Sequence, residues 1–247
     1  MKYNDKRSYK DSHSTVGYGQ HYDRYYNRDT YDSRVWGLEK IVITKILKKY
    51  FSEDVDSYLD FACGTGRVCE YLEDRAKNST GVDVTEEMLR IARGRCKKTE
   101  FVLNDITENN ALISKRFDLI TGFRFFLNAE DKLKHSALKE VSRMLKKEGV
   151  FIINIHGNKN SIRHLPFLVR NILDKRILLN EMSIGELEKY LKKYNLKIVE
   201  IHGLSFMPVI FAKMLPRKIW KKIELFVYSL QIFNKYGIDL VIVIKHE

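Results

Sequence analysis

Between an apolar, strand-like run and a helix-like one, the chain reads Leu59-Asp60-Phe61-Ala62-Cys63-Gly64-Thr65-Gly66. Asp83 follows 23 residues after Asp60, at the end of a second short strand. A glycine turn after a buried strand lets the backbone approach a ligand that any side chain would hold off. An acid at the end of the next strand can accept hydrogen bonds from both hydroxyls of a ribose. Together they predict the first crossover of a parallel sheet with an adenosine-containing ligand laid across it.

Those two features fit a dinucleotide or S-adenosylmethionine (SAM). The turn continues Arg67-Val68-Cys69, so the third glycine that packs a dinucleotide helix against its strand is absent. Asp60, four residues before Gly64, suits the ammonium of a methionine moiety and would repel a pyrophosphate. No GxxxxGK[ST] run occurs, which excludes a P-loop.

The run resembles motif I of the class I SAM-dependent methyltransferases, in particular their bacterial small-molecule and glycan-modifying members. Later blocks resemble the family in the expected order: Gly81-Val82-Asp83-Val84-Thr85-Glu86-Glu87-Met88-Leu89, Asn104-Asp105-Ile106, Phe117 to Gly122, and Leu145 to Ile153. The resemblance implies an α/β fold: a Rossmann-like, seven-stranded, mostly parallel sheet with helices on both faces and an antiparallel last strand. It also implies SAM as cofactor and S-adenosylhomocysteine (SAH) as product. By strand order, Asp60, Ala62 and Gly64 lie beside the methionine moiety, and Gly66 turns the chain past the ribose. Asp83 and Val84 take the ribose, Asp105 and Ile106 the adenine, and Phe123 the transfer point. Met88 is either an adenine contact or core. The core of this family serves many acceptors, so the substrate stays open.

At 247 residues and 44% hydrophobic, the chain can bury a sizeable core. Its three cysteines, Cys63, Cys69 and Cys96, form no paired framework, which predicts a reducing compartment. The N-terminus lacks a signal peptide's apolar core, and no 18-residue apolar run is present to span a membrane. The expected location is therefore cytoplasmic, or peripheral on the inner face of the membrane. The histidines show no paired ligand spacing, so no metal is expected. The formal charge of +12 fits either an anionic partner or an ordinary lysine-rich surface.

Residues 1–34 are expected to be a flexible N-terminus and lid, and 35–247 the catalytic domain. Tyr18, Tyr22, Tyr25 and Tyr26 fall at helical spacing. In the resembling family such a segment closes over the cofactor, and Tyr18 and Tyr22 would then face it or the acceptor; simple packing is the alternative. Helices are predicted over 36–50, 66–76, from Glu86 with Thr85 as cap, and over 129–145. Strands are predicted at 57–62, 79–83, 100–103, 117–121, 150–155, 196–201 and 239–244. Ser183-Ile184-Gly185-Glu186 fits a capping box.

Residues 204–236, between the last two strands, are too long for a hairpin and read as a helical insertion broken at Pro208 and Pro216. They mix large apolar residues with six cations against one acid, Glu224. That pattern suits an anionic membrane surface, the cover of an acceptor pocket, a dimer contact or plain core.

On the acceptor side, Phe123-Arg124-Phe125-Phe126-Leu127-Asn128 follows strand four. It departs from the Pro-Pro signature of enzymes that methylate nucleic-acid amines. His156 ends strand five beside Gly157. A histidine there suits a general base for a hydroxyl proton; a substrate contact or a structural role are the alternatives. Tyr22, Arg124 and Asn128 join it as candidates, and Arg124 and Arg163 suit an acceptor phosphate or carboxylate. The expected reaction is methyl transfer to a hydroxyl of a small molecule, sugar or lipid-linked glycan. RNA methylation and O- or C-methylation of a hydrophobic ring such as a quinone precursor are the alternatives; the last predicts an apolar pocket.

Overall fold

The computed structural model describes residue 10 and residues 17–161, 181–207 and 209–247. Arg163 and Pro208 lie outside the described residues. The elements are α1 (Tyr18–Tyr26), α2 (Tyr31–Tyr50), β1 (Val55–Phe61), α3 (Arg67–Leu72), β2 (Ala76–Asp83), α4 (Glu86–Arg95), β3 (Thr99–Leu103) and β4 (Phe117–Gly122). There follow α5 (Asp131–Met144), β5 (Leu145–Ile155), α6 (Ile184–Lys192), β6 (Leu196–Leu204), α7 (Val209–Met214), α8 (Arg217–Ser229) and β7 (Asp239–His246).

Seven strands form one sheet in the order β3-β2-β1-β4-β5-β7-β6. The first five pair in parallel. β7 runs antiparallel to both β5 and β6. This is the predicted sheet, with its one reversed strand inserted between β5 and β6. Central strands are buried on both faces, which their unbroken apolar runs, such as Val150–Ile153, require. One face carries α5 and α6 through Leu138, Val141, Leu187 and Leu191. The other carries α2 and α8 through Leu38, Val42, Ile46, Trp220 and Tyr228.

Local chemistry sets the element ends. Thr30 caps α2 through a reciprocal box with Ser33, so this helix starts at Tyr31 and runs straight through position 35, where a boundary was expected. Ser183 and Glu186 form the predicted capping box of α6. Thr85 holds the cap position of α4, but its side chain makes no capping bond; its amide instead donates to Asp83 Oδ1 at 3.0 Å. β2 begins three residues earlier than predicted because Ala76 pairs with Val55. β5 begins at Leu145, not Val150. Leu145 pairs with Phe117 and Val150 with Leu119, so Lys146–Gly149 bulge out of the ladder.

The insertion between β6 and β7 is helical, as expected, and it is anchored by its one acid. Glu224 is 1% exposed. Its carboxylate accepts from the amides of Phe206 at 2.9 Å and Met207 at 3.1 Å, at the end of β6. Trp220 and Tyr228, one turn to either side, bury on the same stripe. Glu224→Ala would strand two amides whose bonds to a charged group contribute about 1.5–3 kcal/mol each. Denaturant melts should show a loss of stability of about 2 kcal/mol or more, and Glu224→Gln should recover part of it.

Candidate active site

The reversal of strand order between β1 and β4 opens a crevice beyond the C-terminal ends of the strands, the place where open α/β sheets bind ligands. A cavity of about 630 Å³ fills it, within the range of roughly 300–1,000 Å³ typical of ligand sites. Of the described residues singled out as cofactor or catalytic candidates in the sequence, all but one line it. Gly66 is turned away. At φ 75° it makes the turn, but an added Cβ would lie 2.9 Å from Cβ of Ala92 on α4. Its missing side chain admits a neighbouring helix, not a ribose. Gly64, at φ 53°, does line the cavity, and an added Cβ there would meet no protein atom within 4 Å.

At the cofactor end, Asp60 is 1% exposed. Its Oδ1 accepts from Thr121 Oγ1 at 2.6 Å and its Oδ2 from Cys69 Sγ at 3.3 Å. Burial pushes its pKa up to about 6, against the pull of those two donors. Asp83 accepts from the Gly64 amide at 2.8 Å and from the Thr85 amide. It therefore splices the glycine turn to the end of β2 while its carboxylate borders the cavity. Asp105 is held by Thr107 and by an ion pair with Lys10, so an adenine amine would share it with that lysine. Ile106 and Met88 are buried against the same wall.

This cradle fits SAM. A carboxylate in a low-dielectric floor makes no ion pair among the described residues, the glycine edge is open, and two further acids lie in strand order beyond it. Asp60 would hold the ammonium, Asp83 the ribose, and Asp105 with Ile106 the adenine.

At the other end, α1 lies across the cavity and presents Tyr18, Tyr22, Tyr25 and Tyr26 to it. It rests on α4 through the Gly17 amide to Glu87 and the Asp23–Arg95 pair. Beneath it lies a charged cluster that the sequence reading missed. The Arg67 guanidinium sits between the rings of Tyr26 and Trp36, 4.2 and 4.3 Å from their centroids. Its Nη1 is 3.9 Å from Glu39, which is fully buried. Asn154 donates to Glu39 at 2.7 Å and accepts from the Arg124 amide at 2.6 Å. Arg124 is half-buried, its backbone is left-handed at φ 62°, and its Nη2 reaches Asp32 at 3.1 Å. Asp239 joins through Tyr31, and burial pushes its pKa up to about 7. No spacing rule links positions 39, 67, 124, 154 and 239; only the sheet brings them together.

His156 borders this end of the cavity, and its Nδ1 is buried with no hydrogen-bond partner among the described residues. Burial and the Arg124 charge hold its pKa well below the ordinary histidine value, so the ring is neutral at pH 7 and able to accept a proton. Asn128 donates to the Arg124 carbonyl at 2.8 Å. Phe123 packs edge-on to Trp36.

The Asp60 environment makes a pH prediction. A bound ammonium stabilises the ionised carboxylate, so binding below the unliganded pKa must release a proton. SAH affinity measured by calorimetry should fall by up to about tenfold per pH unit below about pH 6. A flat profile between pH 5 and 7, or the same slope in Asp60→Asn, would show that Asp60 does not meet the ammonium.

Residues 59–153 match the family described as "Methyltransferase domain". A demethylmenaquinone methyltransferase of Thermotoga maritima is 31% identical over 120 residues, covering 48% of this chain and 51% of that protein. A ubiquinone biosynthesis O-methyltransferase of Actinobacillus pleuropneumoniae is 26% identical over 170 residues, covering 61% and 70%. The chain spans about half the length of the first curated relatives it matches. Among solved structures, magnesium protoporphyrin IX methyltransferase of Synechocystis with bound SAH superimposes with a TM-score of 0.64 at 10% identity, over 96% of this chain and 97% of that one. The strand order and the matched segment agree: residues 59–153 resemble a methyltransferase domain, and the chain has the fold of the class I SAM-dependent methyltransferases.

Proposed function

We propose that this protein transfers a methyl group from SAM to a hydroxyl on a small hydrophobic ring of the quinone-precursor kind. The observation that carries the reading is the acceptor end of the cavity. Phe123, Phe125, Leu127 and Leu133 form apolar wall there, the lid tyrosines face it, and a neutral imidazole stands at its edge. Such a wall favours a ring over a sugar, because a sugar would bury hydroxyls without partners. For this reason the hydrophobic ring, and not the glycan, is the preferred acceptor. The relatives named for menaquinone and ubiquinone methylation support the same choice.

When bound, SAM supplies a methyl group already activated on a sulfonium. The chain's work is then to place the acceptor and move one proton. α1 closes over the cavity as a lid and excludes water through its tyrosines. Arg67 and Arg124 fix the floor beneath the ring and favour oxygen with developing negative charge. His156 takes the hydroxyl proton. Its low pKa leaves it unprotonated across the neutral range, so at saturating SAM the rate should not fall as pH passes down through the ordinary histidine value near 6.5. Alignment of acceptor and methyl group supplies much of the rest.

His156→Ala should lower kcat by about 10²- to 10⁴-fold, the usual contribution of a general base, with SAH affinity within about twofold of wild type. The assay offers ring-hydroxylated quinols and free sugars side by side and reads the methylated product by mass spectrometry. An unchanged kcat removes His156 as the base. Turnover of sugars with none of quinols overturns the ring reading.

A further inference from the structure

The insertion leaves an apolar face in solvent that the methyl-transfer site does not use. Helix α8 buries Trp220, Glu224 and Tyr228 against the sheet. A second stripe, at i, i+4, i+7 and i+11, points outward: Ile219 is 49% exposed, Ile223 37%, Phe226 65% and Leu230 42%. Phe211 at 52% and Met214 at 74% extend it from α7. Of the fifteen large apolar side chains exposed among the described residues, ten lie between 210 and 236. That concentration is far from the scattered apolar exposure of an ordinary surface.

The exposed charges that the insertion itself carries around the stripe have one sign, and Asp29 from the turn before α2 pairs with one of them, Arg217. Lys213, Arg217, Lys218, Lys221 and Lys222 are all exposed. Lys218 and Lys222 each immediately precede a stripe residue. The segment's one acid, Glu224, is buried on the other side. A second copy is a poor occupant, because a two-fold contact would set these cations against their own counterparts. We propose that this face docks onto a bilayer rich in anionic phospholipid, with the apolar stripe in the acyl boundary and the lysines among the headgroups.

The attachment of the insertion gives the docking a consequence. Arg34 Nη1 donates to the carbonyls of Ala212 at 2.6 Å and Leu215 at 2.8 Å. Arg217 Nη2 donates to the Ser33 carbonyl at 3.1 Å. The turn between α7 and α8 is therefore tied to the first turn of α2, directly after the helix that covers the cavity. A docked insertion holds that covering helix near the interface, where a lipophilic acceptor resides. The docking itself does not depend on the acceptor's identity.

The test is flotation of the full-length chain with vesicles of phosphatidylcholine alone and of equimolar phosphatidylcholine and phosphatidylglycerol. The protein should float with the anionic vesicles, and added salt should weaken the association. Phe226→Asp, and separately Lys218→Glu with Lys222→Glu, should each lower the bound-to-free ratio by about tenfold or more. SAH affinity, read on the same samples, should stay at the wild-type value and so establishes that the exposed-site variants are folded. Absence of binding to anionic vesicles at low salt, or equal binding by the variants, overturns the proposal. So does a concentration-dependent dimer in analytical ultracentrifugation that Phe226→Asp abolishes, since the face would then be a contact between copies. Because SAH binding and transfer to a soluble quinol are measured separately, failure here leaves the methyl-transfer reading to stand or fall alone.

Discussion

The reversal of strand order at β1 and β4 governs everything else in this molecule. β1 pairs with β2 on one side and β4 on the other, so the chain leaves the two strands in diverging directions and a crevice opens at their ends. Asp60 stands at its floor, and the hydroxyl of Thr121 on β4 holds it from the neighbouring strand. Tyr58 in turn bonds Thr121 at 2.8 Å. A carboxylate in such a dry setting is costly unless a cation meets it. The fold thus places an unfavourable group where a ligand's ammonium would relieve it, and the raised pKa of Asp60 registers that cost.

The acceptor end follows the same logic on a larger scale. Two guanidiniums, a carboxylate and an amide are packed under α1. Glu39 from α2, Arg67 from α3, Arg124 after β4 and Asn154 from β5 meet there. Removing one member of such a buried network leaves an uncompensated group and costs far more than the pairing gains. The left-handed backbone of Arg124 is a strain that its amide bond to Asn154 and its pair with Asp32 sustain. The result is a polar floor beneath the tyrosines of α1, and the first turn of α2, directly after α1, also receives the helical insertion.

Much of this was legible in the chain. The glycine turn and Asp83 marked the cofactor end because close backbone approach admits few residue types. The alternation of short β-branched runs with 3.6-period segments marked the parallel sheet. His156 and Arg124 were legible as positions at strand ends, though not as a neutral ring and a half-buried cation paired with Asp32. Gly66 was legible as a turn glycine, but a sequence does not tell that its missing side chain makes room for a neighbouring helix. The start of β5 was misread because a bulge at Lys146–Gly149 has no periodicity of its own.

By itself, then, the order of residues determined the sheet, its one reversed strand, the glycine turn and acids that border the cavity, and the existence of a basic apolar insertion. Each is written in local pattern: spacing, turn chemistry and composition. Tertiary structure alone decided the charged floor of Glu39, Arg67, Arg124 and Asn154, the loss of a polar partner at His156, and which stripe of α8 is buried and which faces out. These depend on distances between residues far apart in the chain and on how much water the packing removes, and local pattern encodes neither.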